Sequence, residues 1–266
     1  MIDVIQTYKH CYNNFNDTYF NYYCFVDNDL LNHIIEFDNS EVYLTYLNLP
    51  SKIHQIDLWR YVYIYIHGGL YMDIDIFLKN DIINHISIFE NNNLVIFKES
   101  PNINDGIIMY LFYCFKYFFR IIDHPRFFQY RQSIFFAKPN NSHLKELIEQ
   151  ISFNFQHNYH YKFIEPDLTF ELTGPGIFTD VIKYGHPYEI EYSFSKQIID
   201  YHSSGSWRTQ FNPYLKIITF LDILLIICGI IIFFLLRKKK YLINTRLASS
   251  NIVTNHNKNH LRNVII

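Results

Sequence analysis

The stretch Asp57-Leu-Trp-Arg60-Tyr61, followed after a short apolar run by Gly68-Gly69-Leu-Tyr71-Met-Asp73-Ile-Asp75, decides how this chain folds. Just upstream, Ser51 is placed to cap a helix running from Lys52 to His67, and Gly68-Gly69 would stop it. On that helix Ile56, Trp59, Tyr63 and Ile66 recur at a 3-4-3 spacing, which makes an apolar stripe. Asp57 and Arg60 are i,i+3 neighbours and share a face. Leu70–Phe77 then has the pattern of a strand. Leu70, Met72, Ile74 and Ile76 point one way; Tyr71, Asp73 and Asp75 point the other. A tight glycine turn thus delivers two carboxylates and a phenol together. Two carboxylates crowded at a strand end repel each other unless a cation sits between them. Hard divalent ions such as Mg²⁺ and Mn²⁺ suit oxygen ligands of this kind and keep positions open for phosphates.

Working outward, Val4–Tyr8, Tyr22–Val26 and Leu94–Lys98 have strand patterns. His143–Phe153 is an amphipathic helix with Leu144, Leu147, Ile148 and Ile151 on one face. Alternating strands and helices over residues 1–210 imply an α/β sandwich with a mostly parallel central sheet. The intensely aromatic Met109–Ile122 is expected to be a half-buried helix. Ile217–Leu236 is an apolar stretch interrupted only by Thr219, Asp222 and Gly229. Its length suits a single transmembrane helix. The basic Arg237-Lys-Lys-Lys240 that follows favours a cytosolic flank, and residues 237–266 form a basic, polar tail expected to be disordered.

Composition narrows the function classes. A hydrophobic share of 49%, with 25 Phe and 23 Tyr, supports a sizeable core and argues against general disorder. A net charge of −2 argues against a nucleic-acid partner, which needs a clustered basic surface. Cys11, Cys24, Cys114 and Cys228 show no CxxC spacing and are expected to be buried or lipid-facing free thiols. The first residues lack the basic and apolar regions of a secretory signal. That feature favours a cytosolic working domain, whereas the basic cluster after Leu236 favours a lumenal one; both orientations stay open.

An isolated Asp-x-Asp is weak evidence of anything. Asp57-x-x-Arg60, an eleven-residue step to Tyr71, and Gly-Gly-x-Tyr-x-Asp-x-Asp together are far more specific. On these residues the chain resembles the DXD-containing sugar transferases of family 32, which include Golgi mannosyltransferases and inositol phosphoceramide mannosyltransferases. The same pattern occurs in the glucosylating domains of large bacterial toxins. Further matches follow in order: Val4-Ile-Gln6-Thr7-Tyr-Lys9 with the family's opening strand, Phe25-Val-Asp27-Asn-Asp29, Thr173-Gly-Pro-Gly176, and His202 to Ser206-Trp207. Tyr8 stands in place of the usual Trp, Val4-Ile5 lacks the usual His, and Gln132-Ser133 stands where many relatives carry Asn.

The resemblance implies a GT-A-like nucleotide-sugar-binding fold and a retaining, divalent-metal-dependent transferase moving a hexose, mannose favoured. The donor would be a GDP- or UDP-hexose, the cofactor Mn²⁺ or Mg²⁺, and the acceptor a lipid or glycan at the membrane. The implied catalytic residues are Asp57, Arg60, Asp73 and Asp75. Donor contacts would come from Gln6, Thr7, Asp57, Arg60, Gly69, Tyr71, Asp73, Ser206 and Trp207. Asp73, Asp75 and His202 would serve the metal. The chain would be a single-pass protein of ER/Golgi-type membranes. A catalytically silent, membrane-anchored nucleotide-sugar- or glycan-binding protein is the alternative. An aspartate-dependent phosphatase fits poorly, since it wants Thr or Val where Phe77 stands and leaves Asp57-x-x-Arg60 unexplained.

Overall fold

In a computed structural model of the chain, the structure describes residues 1–7, 19–26, 29–99, 114, 128–157 and 167–202, within the compact unit Met1–Trp207. The elements follow as β1 (Ile2–Thr7), β2 (Phe20–Phe25), α1 (Leu30–Glu36), α2 (Ser40–Asn48), α3 (Lys52–His67), β3 (Gly69–Met72) and β4 (Ile76–Leu78). After a 3₁₀ segment (Asn80–His85) come α4 (Ile86–Asn91), β5 (Leu94–Lys98), β6 (Tyr130–Ala137), α5 (Ser142–Gln156), α6 (Asp167–Leu172) and α7 (Pro175–Ile182). The last described elements are β7 (Tyr188–Ile190), α8 (Tyr192–Ile198) and β8 (Ile199–Tyr201).

The result is a mixed α/β sandwich built on a six-stranded sheet of order β2-β1-β3-β6-β5-β7. β2 and β3 both pair with β1 in parallel, and β7 pairs with β5 in parallel. β6 runs antiparallel to both of its neighbours, so the sheet is mostly but not wholly parallel. β4 and β8 pair separately as a small antiparallel ribbon.

Alternation along the strands divides the interior. Ile5, Tyr71, Ile96 and Phe135 face a core shared with α1, α2, α3, α5 and α7. Val4, Leu70, Met72, Val95 and Ile134 face a second core under the 3₁₀ segment, α4 and α8. The expected face of α5 packs as the spacing requires, with Leu144, Leu147, Ile148 and Ile151 all fully buried. α3 keeps the expected bounds, but its burial goes beyond one stripe. Leu58, Tyr61, Val62 and Ile64 are buried along with Trp59 and Tyr63, and so are Asp57 and Arg60. Only a helix covered on nearly every side shows this pattern.

Two expectations need correction. Leu70–Phe77 is not one strand. The ladder stops at Met72, and Asp73-Ile74-Asp75 forms a turn closed by the Ile76 N–H donating to the Asp73 carbonyl at 3.0 Å. Tyr71 and Asp73 still share a face, but Asp75 is presented by the turn. Second, Cys24 on β2 is disulfide-bonded rather than a free thiol, whereas Cys114 is free. Gly69, expected at the donor, is also required by backbone geometry. Its φ is +114°, and a Cβ there would lie 2.7 Å from the Asp3 carbonyl oxygen of β1. The neighbouring Gly68 (φ +73°) closes α3 by donating its N–H to the Ile64 carbonyl at 2.9 Å.

Ile217–Leu236, Arg237–Lys240, Met109–Ile122 apart from Cys114, Asp27, Ser206 and Trp207 lie outside the described residues. Among the described residues, no helix is long and apolar enough to cross a membrane.

Gly69→Ala is expected to destabilise the domain by about 1–3 kcal/mol, because a side chain would be held in a left-handed conformation. Thermal unfolding should show it as a midpoint lowered by about 2–4 °C per kcal/mol.

Candidate active site

The chain leaves β1 toward β2 on one side and returns through α1, α2 and α3 to β3 on the other. β1 and β3 therefore flank the point where the strand order reverses. Crevices at the carboxyl ends of strands around such a point are where open α/β sheets bind ligands. Thr7 ends β1 there, beside the buried Gln6, and β3 ends there at Met72-Asp73.

Arg60 is the centre of the arrangement. Its Nη2 lies 2.8 Å from Asp57 Oδ1 and its Nη1 lies 3.3 Å from Asp73 Oδ1. Nη1 also donates to the Gln132 carbonyl on β6 at 3.4 Å, and the guanidinium carbon sits 4.5 Å over the Tyr71 ring. The Tyr71 hydroxyl donates to Asp73 Oδ1 at 2.8 Å, and the Thr7 side chain lies close enough to influence the same phenol. One turn of α3, two strand ends and the Asp-Ile-Asp turn thus converge on a single cation. Arg60 is only 5% exposed, and its buried Nε has no hydrogen-bond partner. A buried donor left without a partner is rare in a folded protein and calls for an explanation.

Asp57 is 1% exposed and fully occupied by protein. Besides Arg60, its Oδ2 accepts from Thr173 Oγ1 at 3.0 Å, and Oδ1 accepts from Gln132 Nε2 at 3.4 Å. Tyr61, one residue beyond Arg60, places its hydroxyl against both Gln132 Oε1 and the Thr173 carbonyl, the latter at 2.9 Å. Tyr61, Gln132 and Thr173 carry no site role in the sequence reading, although Thr173 opens a matched motif and Gln132 marks a departure from the family pattern.

Burial dominates the electrostatics. It pushes the Asp57 carboxyl up to about 6; Arg60 and Thr173 oppose that rise, and Asp73 adds to it. The Asp73 carboxyl is also raised by burial. Arg60 and the Tyr71 hydroxyl oppose this, and Asp75 pushes it further. Arg60 is held above its ordinary range because Tyr71, Asp73 and Asp57 outweigh its own desolvation.

His202, exposed beyond β8, reaches the same turn through its backbone. Its N–H donates to the Asp75 carbonyl at 2.8 Å, and its ring packs edge-on against Phe77 at 5.4 Å. Among the described residues, no three His, Cys, Asp or Glu side chains form a group that could hold a metal ion. Mg²⁺ and Mn²⁺ do not need one. They are commonly held by one or two carboxylates, with substrate phosphates and water completing the shell. Asp73 and Asp75, close enough for one to raise the other's carboxyl, fit that donor set.

Residues 3–98 match the family model described as a glycosyltransferase sugar-binding region containing a DXD motif. This match covers Thr7, Asp57, Arg60, Tyr71, Asp73 and Asp75, and it supports an enzyme of the glycosyltransferase class. No curated protein matches the chain. Among solved structures, one titled PaToxG glycosyltransferase is 12% identical over 63% of this chain and 48% of that one, with a TM-score of 0.39. The UDP-bound glycosyltransferase domain of the YGT toxin is also 12% identical, over 68% of this chain and 54% of that one, with a TM-score of 0.37. The chain spans about half the length of these structures. At such scores the likeness adds no weight to the reading of the site.

Two outcomes are expected from this geometry. Arg60→Met should destabilise the domain by about 3–5 kcal/mol in urea unfolding, because it strands a buried carboxylate. The second outcome concerns pH. A folded-state Asp57 value near 6 lies above the unfolded value, so its contribution to stability is complete below about pH 4 and is lost as pH rises through 6. Urea midpoints of wild type minus Asp57→Asn should therefore fall between pH 4.5 and 6.5; a flat difference would contradict the raised value.

Proposed function

We propose that this chain is a retaining glycosyltransferase that moves a hexose, mannose favoured, from a nucleotide-sugar to a lipid or glycan acceptor at a membrane. The observation that carries the reading is the Asp57–Arg60–Asp73 chain, which ends at an Asp-Ile-Asp turn beside the point of strand reversal. In this GT-A-like reading Gln6 and Thr7 line the nucleotide side of the crevice. Tyr71 and Asp73 hold the donor's ribose and sugar, and Arg60 offers its Nε–H to a donor oxygen. Asp57 keeps that guanidinium in place. Asp73 and Asp75, with His202 beside Asp75, would hold Mn²⁺ or Mg²⁺, and Ser206 and Trp207 would contact the diphosphate. The bound ion supplies neutralisation of the charge that grows on the departing nucleoside diphosphate.

At the described site, Asp57 and Asp73 are both tied to Arg60, so neither is placed as a nucleophile. This supports front-face attack by the acceptor hydroxyl without a glycosyl-enzyme intermediate. In this step the acceptor oxygen bonds to the anomeric carbon as the phosphate oxygen leaves with the bonding pair. The hydroxyl proton passes to the departing diphosphate.

The apolar stretch Ile217–Leu236, close after Trp207, supports anchoring near the acceptor. The disulfide at Cys24 supports the lumenal orientation, since such bonds persist in oxidising compartments, and it agrees with a cytosolic Arg237–Lys240 flank. Protease protection of the domain in sealed microsomes tests that orientation.

The function itself is tested by a screen of UDP- and GDP-hexoses that reads nucleotide release with and without Mn²⁺. One donor should turn over, and Asp75→Asn should lower kcat about 100-fold or more. Donor binding without release would assign the chain to a silent binding module.

A further inference from the structure

The Thr173-Gly174-Pro175-Gly176 turn matches a family motif, yet nothing above gives it a role in the reaction. Its geometry supplies one. Thr173 is fully buried between the end of α6 and the start of α7. A Cβ on Gly174 would lie 2.5 Å from the Thr169 carbonyl oxygen, and one on Gly176 would lie 2.7 Å from that of Phe170. The turn's backbone is therefore pressed directly onto the backbone of α6, which only glycine allows at these two positions. Pro175 sits at the first position of α7, where its fixed φ suits the helix start.

From this immobile turn two groups reach α3. The Thr173 hydroxyl donates to Asp57 Oδ2 at 3.0 Å, and the Thr173 carbonyl accepts the Tyr61 hydroxyl at 2.9 Å. Asp57 and Tyr61 are four residues apart, on one face of the helix. The turn therefore grips α3 at two points that bracket Arg60. Asp57 Oδ1 faces Arg60 Nη2 at 2.8 Å, so the oxygen held by Thr173 fixes which way the other one looks.

We propose that Thr173 is a positioning residue of the donor site, whose hydroxyl sets the plane of the Asp57 carboxylate and thereby holds the Arg60 guanidinium against Asp73. This role rests on the glycosyltransferase reading. Without the hydroxyl, Oδ2 of a residue that is 1% exposed loses the donor it has here, and an unsatisfied buried acceptor is costly. The carboxylate then relieves the deficit by rotating or by taking up a proton. Either response moves or weakens the oxygen that anchors Arg60. A displacement of the order of an ångström in such a clamp is enough to cost up to about 100-fold in rate.

The test compares Thr173→Val, which keeps the branched shape without the donor, with Thr173→Ser, which keeps the hydroxyl. Both are made in the full chain and assayed with whichever nucleotide-hexose the wild type turns over. T173V is expected to lose about 10-fold or more in kcat/KM, while T173S stays within about 3-fold of wild type. Thr173→Ala takes the place of T173V should that variant fail to fold. Wild-type activity in T173V, or a T173S as impaired as T173V, overturns the proposal, since packing rather than the hydroxyl would then matter. Thermal unfolding of T173V, D57N and the double variant gives a readout independent of turnover. The double variant should lose less than the sum of the single losses, and strictly additive losses also overturn the proposal. A wild type silent with every donor overturns the glycosyltransferase reading, and the donor-site role with it. A wild type that is active alongside an active T173V overturns the positioning role alone.

Discussion

A guanidinium that is 5% exposed is the constraint around which this domain is organised. Moving an unpaired charge of that size out of water is prohibitive, so partners have to converge on it from several elements at once. Asp57 comes from the same helix three residues back, Asp73 from the turn after β3, the Gln132 carbonyl from β6, and the Tyr71 ring from the strand beneath. Each of these needs its own element in register. α3 has to pack flat on the sheet, β3 has to lie between β1 and β6, and the Gly68-Gly69 turn has to bring β3 hard against Asp3. The small residues in the connections and the large ones in α3 follow from the same requirement.

The charge distribution follows directly. Asp57 faces inward with every oxygen engaged, while Asp73 stands half-buried at the boundary and Asp75 sits in the turn beyond it. The site is therefore graded, from a locked pair in the core to carboxylates at the crevice. In the proposed reading the locked pair would serve geometry and the outer pair chemistry. Raised carboxyl values at Asp57 and Asp73 are the electrostatic expression of that depth.

Much of this was legible in the sequence where the signals were local. α3 and β5 have the bounds that glycines and apolar runs imply, though the Ser51 hydroxyl pairs with His54 Nδ1 at 2.7 Å instead of capping α3, and the inward face of α5 follows from helical spacing. Asp57, Arg60, Tyr71 and Asp73 do meet, because all lie on α3, β3 or the turn that follows β3 directly. The break at Asp73 escaped notice because apolar residues keep alternating through Ile76, and because a turn made of Asp-Ile-Asp carries neither Gly nor Pro. The contacts that Tyr61, Gln132 and Thr173 make were illegible for a different reason. Their partners lie between 71 and 116 residues away, and nothing in a single chain announces which buried hydroxyl will meet which carboxylate. Cys24 was equally silent, since its spacing to the other cysteines follows no recognisable pattern.

The Asp57–Arg60 pair also shapes the paths along which such a sequence can drift. Losing either partner alone leaves its counterpart stranded in the core, whereas exchanging both for apolar residues of similar volume is often neutral or even stabilising. A lineage released from selection on turnover therefore faces a barrier at the first substitution and a downhill step at the second. Decay of this site would be expected as a paired event, leaving two apolar residues three positions apart on α3. A chain that keeps both members has either never crossed that barrier or is still held behind it by use.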